Sequence, residues 1–181
     1  MLFRSNVTRK STTGVAIKYG GFTVKTYARN QKVIALSSAE AELYAIVSGV
    51  SEALGVKALL KDLGVEVKVR CFTDSNAAIG ITKRLGLGKI RHMQTRYLWI
   101  QDLVTNGHVQ ICKINTHVNS TDLMTKYLDS STIQTHVKLL NLQQSITRPT
   151  QAPTLQCNQI SYAPYANWQV DSMFSAHLLK M

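Results

Sequence analysis

The sequence predicts an α/β domain built on one sheet of mixed pairing. A β-hairpin signal opens the readable part of the chain, apolar runs of strand and helix period then alternate, and turn residues punctuate nearly every junction. The 181 residues suffice for one domain with a sizeable core and are few for two.

Residues 12–36 read as three short strands. Thr13 to Tyr19 meets Gly20-Gly21, a two-residue hairpin signal, and Phe22 to Tyr27 returns. A turn near Arg29-Asn30-Gln31 leads into Lys32 to Leu36, the third strand. Ser37-Ser38 then offers an N-cap, with Glu40 and Glu42 where a helix dipole favours anions. Leu43, Ile46, Val47, Val50 and Leu54 recur at helical spacing, so a helix is expected to about Leu63, closed by Gly64. Val65 to Phe72 reads as a strand, Ser75 to Arg84 and Arg91 to Val104 as helices, and His108 to Ile114 as a further strand. Ser120 or Thr121 would cap a short helix through Leu128.

Residues 129–181 differ in character. A helix is expected at Thr132 to Leu142. All three prolines and many Ser, Thr, Gln and Asn follow, the composition of a loosely ordered tail. The expected division is therefore a domain over 1–128 and an extension over 129–181.

Charge points to a polyanion. Lys and Arg number 21 against 10 Asp and Glu, a net charge of +11, and residues 1–36 hold no carboxylate at all. Cys71, Cys112 and Cys157 lack metal-ligand spacing, and an odd count without CxxC suits a reducing compartment. No uninterrupted run of about 18 apolar residues occurs. These features predict an intracellular protein, cytoplasmic or nuclear, without a membrane partner.

With ten carboxylates the search for acid chemistry is short. Two-metal phosphodiester hydrolysis needs several carboxylates converging on a pair of divalent ions, held by strand ends and helix starts. Asp74 follows an apolar strand run and precedes a helix, a place that suits a ligand and an N-cap equally. The same two readings apply to Asp122, and Glu40 and Glu42 can be plain first-turn acids. His117, five residues before Asp122, reads better as a loop histidine than as a participant in catalysis.

In order, Ser37-Ser-Ala-Glu-Ala-Glu-Leu-Tyr-Ala-Ile46, Phe72-Thr-Asp-Ser-Asn-Ala-Ala-Ile79 and Asn119-Ser-Thr-Asp-Leu-Met-Thr-Lys126 resemble the ribonuclease H domain of copia-type retrotransposon Pol polyproteins. Thr8-Arg-Lys-Ser-Thr-Thr-Gly14 and Lys89-Ile-Arg-His-Met-Gln-Thr-Arg-Tyr-Leu-Trp-Ile100 are similar to the same family. The resemblance implies a ribonuclease H-like mixed sheet flanked by helices. It also implies hydrolysis of the RNA strand of RNA–DNA hybrids with two Mg²⁺ or Mn²⁺ ions, and a reverse transcriptase portion as partner in a longer polyprotein. It selects Glu42 over Glu40, and makes Glu42, Asp74 and Asp122 catalytic metal ligands. It puts Asn76 at the hybrid's minor groove, and Lys89, Arg91 and His92 become candidates for phosphate contact.

One departure stands out. The family's first aspartate lies on the first, central strand, just before the Thr-Arg-Lys-Ser-Thr motif, and here no carboxylate precedes Glu40. The central strand is therefore expected to be missing or reduced, and the second metal site doubtful. Trp168-Gln-Val-Asp171 is strand-like and carries a spare carboxylate, but chain connectivity argues against its filling the gap. Two readings follow: a hybrid ribonuclease impaired by the missing aspartate, or a non-catalytic nucleic-acid-binding remnant. Integrase-like transposases fit less well, because their acid spacing differs.

Overall fold

A computed structural model describes residues 10–86, 88, 95–143 and the backbone of 169–177. Strands β1 (Thr12–Tyr19) and β2 (Phe22–Asn30) form the expected antiparallel hairpin, turned by Gly20 and Gly21 at φ of 57° and 86°. No third strand follows. Gln31 is buried instead, its Nε2 donating to Thr13 Oγ1 and to the Ala41 carbonyl, which ties the loop to both β1 and the next helix. Beyond it the Leu36 N–H is donated to Glu40 Oε2 and not to a neighbouring strand.

Helix α1 (Ser38–Asp62) is capped by Ser37, whose hydroxyl accepts from the Glu40 N–H. Leu63 and Gly64, the latter at φ 79°, end it. Its first half is buried through Leu43, Ile46 and Val50, in one core with Val15 and Ile17 of β1. It is the one described helix long and apolar enough to cross a membrane, and here those apolar residues cover the sheet. Strand β3 (Lys68–Thr73), helix α2 (Asn76–Lys83), a 3₁₀ turn at Thr95–Tyr97, helix α3 (Trp99–Thr105) and strand β4 (Val109–Lys113) continue the alternation. The long helix expected over 91–104 is thus shorter, its beginning lying outside the described residues. Two 3₁₀ turns, Thr116–Val118 and Ser120–Met124, lead to helix α4 (Ser130–Leu139), capped by Asp129.

The principal correction concerns the tail. Strand β5 (Gln169–His177) lies in the middle of the sheet, whose order is β2-β1-β5-β3-β4. It runs antiparallel to β1 over eight residue pairs, from Thr12↔His177 to Tyr19↔Val170, and parallel to β3 from Lys68↔Gln169 to Phe72↔Met173. The central strand is therefore present, supplied from the end of the 129–181 region expected to be loose, and the sheet does not stop at residue 128. The physical reason lies in the two open ladders. Without a strand between them, β1 and β3 would each leave a row of N–H and C=O groups unpaired in the interior, at about 1–3 kcal/mol for each buried group. The register sets Val170, Phe174 and Ala176 level with Tyr19, Val15 and Thr13, so a two-residue pattern of small and apolar residues continues that of β1.

Consecutive β1 residues assign the layers. Thr13 bonds Gln31, which bonds α1, while a Cβ on Gly14 would lie 2.7 Å from Thr125 Cγ2 and 3.0 Å from the Thr121 carbonyl. Helix α1 thus covers one face, and the 120–124 turn with α4 covers the other.

Candidate functional site

The loops and helix starts that carry the predicted acids gather at one end of the sheet. Antiparallel pairing brings the start of β1 beside the end of β5, and parallel pairing brings the end of β3 to the same side. Gln31 fastens the first turn of α1 there as well.

The two glutamates of α1 have different fates. Glu40, 2% exposed, accepts from the Leu36 N–H at 2.8 Å and from the Tyr44 hydroxyl, so it is consumed in the helix start. Burial and this carboxylate both push the Tyr44 phenol up, since either disfavours a phenolate. Glu42 is buried too, on the sheet side, and its charge reaches Cys71 on β3. The Cys71 thiol is held well above its ordinary value by complete burial first, then by Cys112 and Glu42, so it behaves as an inert core residue.

Asp74 follows the last residue of β3. It does not cap α2, because Ser75 does so through the Ala78 N–H. Among the described residues its carboxylate has no hydrogen-bond or ion-pair partner, while its carbonyl accepts from Lys113 Nζ. Asp122 is no cap either. Asn119 takes that place, correcting the expectation of Ser120 or Thr121. Asp122 is buried, with Lys126 Nζ at 2.7 Å from its Oδ2. Asn76 opens α2, exposed, two residues beyond Asp74. His117 is exposed in the 116–118 turn, as a loop histidine should be. Lys89, Arg91 and His92 lie outside the described residues.

Sequence reasoning missed one participant and wrongly set aside a second, the strand-like stretch ending at Asp171. Lys126 stands four residues after Asp122, a spacing that signals a pair, and its ammonium sits on the carboxylate. The second is β5. Its Asp171 lies level with Lys18 and Arg70, four residues before Asp74's place and so on the order of 13 Å short of it along the strand. Continuing the β3 register puts Ser175 beside Asp74, and Ser175 is also level with Gly14. The central strand is filled, but its position nearest Asp74 holds no acid.

These residues do not fit a two-metal centre as they stand. Among the described residues no group of three or more His, Cys, Asp or Glu side chains is arranged to hold a metal ion. A cation already occupies Asp122.

The chain is 32% identical over 120 residues to the retrovirus-related Pol polyprotein from transposon TNT 1-94 of Nicotiana tabacum, covering 65% of this chain and 9% of that protein. It is 24% identical over 128 residues to those from transposons RE1 and RE2 of Arabidopsis thaliana, covering 68% of this chain and 9% of each. Its homologues are thus Pol polyproteins of copia-type transposons, and the chain spans about a tenth of their length. No family model and no solved structure matches it.

Proposed function

We propose that this chain is a ribonuclease H-type domain of retrotransposon origin that binds RNA–DNA hybrid and whose hydrolytic site is incomplete. One observation carries the reading: Glu42, Asp74 and Asp122, chosen by sequence order, sit on three separate elements that meet at one end of a sheet whose central strand runs parallel to β3. That end is where open α/β sheets hold their ligands. Similarity to transposon Pol polyproteins supports it.

Binding rests on the excess of 11 positive charges. Lys and Arg side chains displace counterions from phosphates, and the shape and 2′-hydroxyls of the hybrid would supply selectivity. Cleavage is impaired for two reasons on the molecule itself. Ser175 stands where an acid would complete the set, and Lys126 neutralises Asp122.

The test is a hybrid titration at several salt concentrations, followed by Mg²⁺- and Mn²⁺-dependent cleavage by the native chain and by Ser175→Asp. Binding that weakens steeply with salt, negligible native cleavage and a gain in the variant are expected. Losing one electrostatic element of a site commonly costs about 10² to 10³ in rate. A flat salt response rejects the binding reading. Robust native cleavage abolished by Asp74→Asn rejects the incomplete site.

A further inference from the structure

At the end of the sheet away from the acids, two adjoining cavities of about 430 and 350 Å³ share the walls Lys68, Gly107 and His108. Four elements bring their charges to this cleft. The last two turns of α1 supply Lys57 and Lys61, the end of α2 supplies Lys83, and the starts of β3 and β4 supply Lys68 and His108. Lys68 stands six residues before Asp74, so about 20 Å of strand separates the cleft from the acid end.

The charge of the cleft is unbalanced. Glu66 is the one carboxylate among its described lining residues, against four lysines, Arg70 and His108. Arg70 is engaged, its guanidinium 5.3 Å from the centre of the Phe72 ring. The four lysines make no ion pair or hydrogen bond among the described residues. Lys61 and Lys83 sit in last turns of helices, where a cation offsets the dipole. That role needs neither a second lysine one turn back at Lys57 nor Lys68 at the head of a strand. Cations gathered on a concave wall reinforce one another's potential and draw an anion in.

We propose that this cleft is a second nucleic-acid site, in which Lys57, Lys61, Lys68 and Lys83 hold a stretch of phosphate backbone apart from any hybrid seated on the acids. The wall itself selects the backbone over the bases. Lysine meets phosphate as a compact point charge, without the planar fork that reads a base edge. The described lining holds no Phe, Tyr or Trp on which a base could stack, so the contact is independent of sequence. Several cations around two joined cavities fit a row of phosphates better than a lone one. The inference rests on the hybrid-binding reading for the class of ligand alone, and it uses no residue of the acid end.

Fluorescence anisotropy with a labelled oligothymidylate and the full chain, without divalent metal, tests the proposal. For single strands the logarithm of affinity falls against that of salt by about 0.7 for each phosphate neutralised, so Lys61→Gln combined with Lys68→Gln should reduce the slope by about 1.4. Lys138→Glu, at an exposed position on α4, removes as much net charge and should leave the slope unchanged. On the native chain, bound oligonucleotide should shield Lys57, Lys61, Lys68 and Lys83 from acetylation and leave Lys138 reactive. An abasic strand of equal length should compete as well as the oligothymidylate. A native slope in the cleft variant, with cleft lysines unshielded, overturns the site even where hybrid binding is steep in salt. An acidic peptide of equal charge that competes as well as the oligonucleotide overturns the assignment to nucleic acid. Loss of all hybrid binding in the cleft variant upholds this site and rejects the seat at the acids.

Discussion

On one face of the sheet, α1 sets Leu43, Ile46 and Val50, all fully buried, into a core with Val15, Ile17 and Val69. On the other, the buried residues among those described include Ala16 and Leu140 with His136, then Thr125 and the polar run Asn119, Ser120, Thr121 and Asp122. The first face is held by apolar area, a non-directional force that tolerates small shifts. The second is held by close approach and directed bonds: Thr121 to Asn119, Lys18 and Thr23 to the carbonyls that end α4, and Lys126 to Asp122. On the second, thinner face Asp122 pairs with Lys126, and on the first Glu42 is buried in the first turns of α1.

The difference predicts unequal responses to truncation. Ile46→Ala should cost about 2–5 kcal/mol, because a fully packed aliphatic side chain leaves both lost transfer energy and a cavity. Leu140→Ala, nearly as buried but outside the main apolar cluster of the described residues, should fall at the lower end of that range. Chemical denaturation of the two variants checks the order, and equal losses would erase the distinction between the faces.

Gly14→Val attacks the thin face directly. The added carbons meet Thr125 and the Thr121 backbone, so the 120–124 turn must move. A cost of about 1–3 kcal/mol is expected for such overpacking. A sharper sign is a change in chemical shift or exchange at Thr121 to Lys126 with the amides of α1 undisturbed. Uniform change across both faces would count against separate control.

The smallest effect concerns the start of α4. Asp129 accepts from the Thr132 N–H and from the Ser131 and Thr132 hydroxyls, and these bonds, Ser131's first, hold its carboxyl well below the usual range. A depressed folded value means a contribution that is complete above the unfolded value of about 4 and is lost as pH falls toward the folded one. Asp129→Ala should therefore lower the melting temperature slightly at neutral pH and by less below pH of about 3, since the group is exposed and screened. A gap between the two proteins that widens in acid would contradict the sign.

How far the sequence foretold these faces follows from the kind of force each uses. Helical spacing of Leu43, Ile46, Val47 and Val50 made α1 and its buried side readable, and Gly64 its end. Local turn chemistry did the same for β1 and β2. The lost third strand was unreadable because the buried amide of Gln31 ties residues far apart in sequence. Of the candidate site, Glu42, Asp74 and Asp122 were proposed from motif order, and their surroundings were not legible. The pairing of Lys126 could have been read from its spacing, whereas the position of β5 could not. A segment rich in Ser and Gln gains its place only from two strands distant in the chain, and its sequence shows no more than an alternating pattern.

That arrangement also sets an order of events. Strands β1 and β3 both precede in sequence the segment that joins them. The hairpin and the β3–β4 pair would then wait as two separate halves with open inner edges, each a template for any extended chain nearby. Closure brings together residues more than 150 positions apart, among them Thr13 and Ala176, a contact of the most non-local and slowest-forming kind. Until residues 169–177 arrive, the other described strands stand as two pairs that share no sheet.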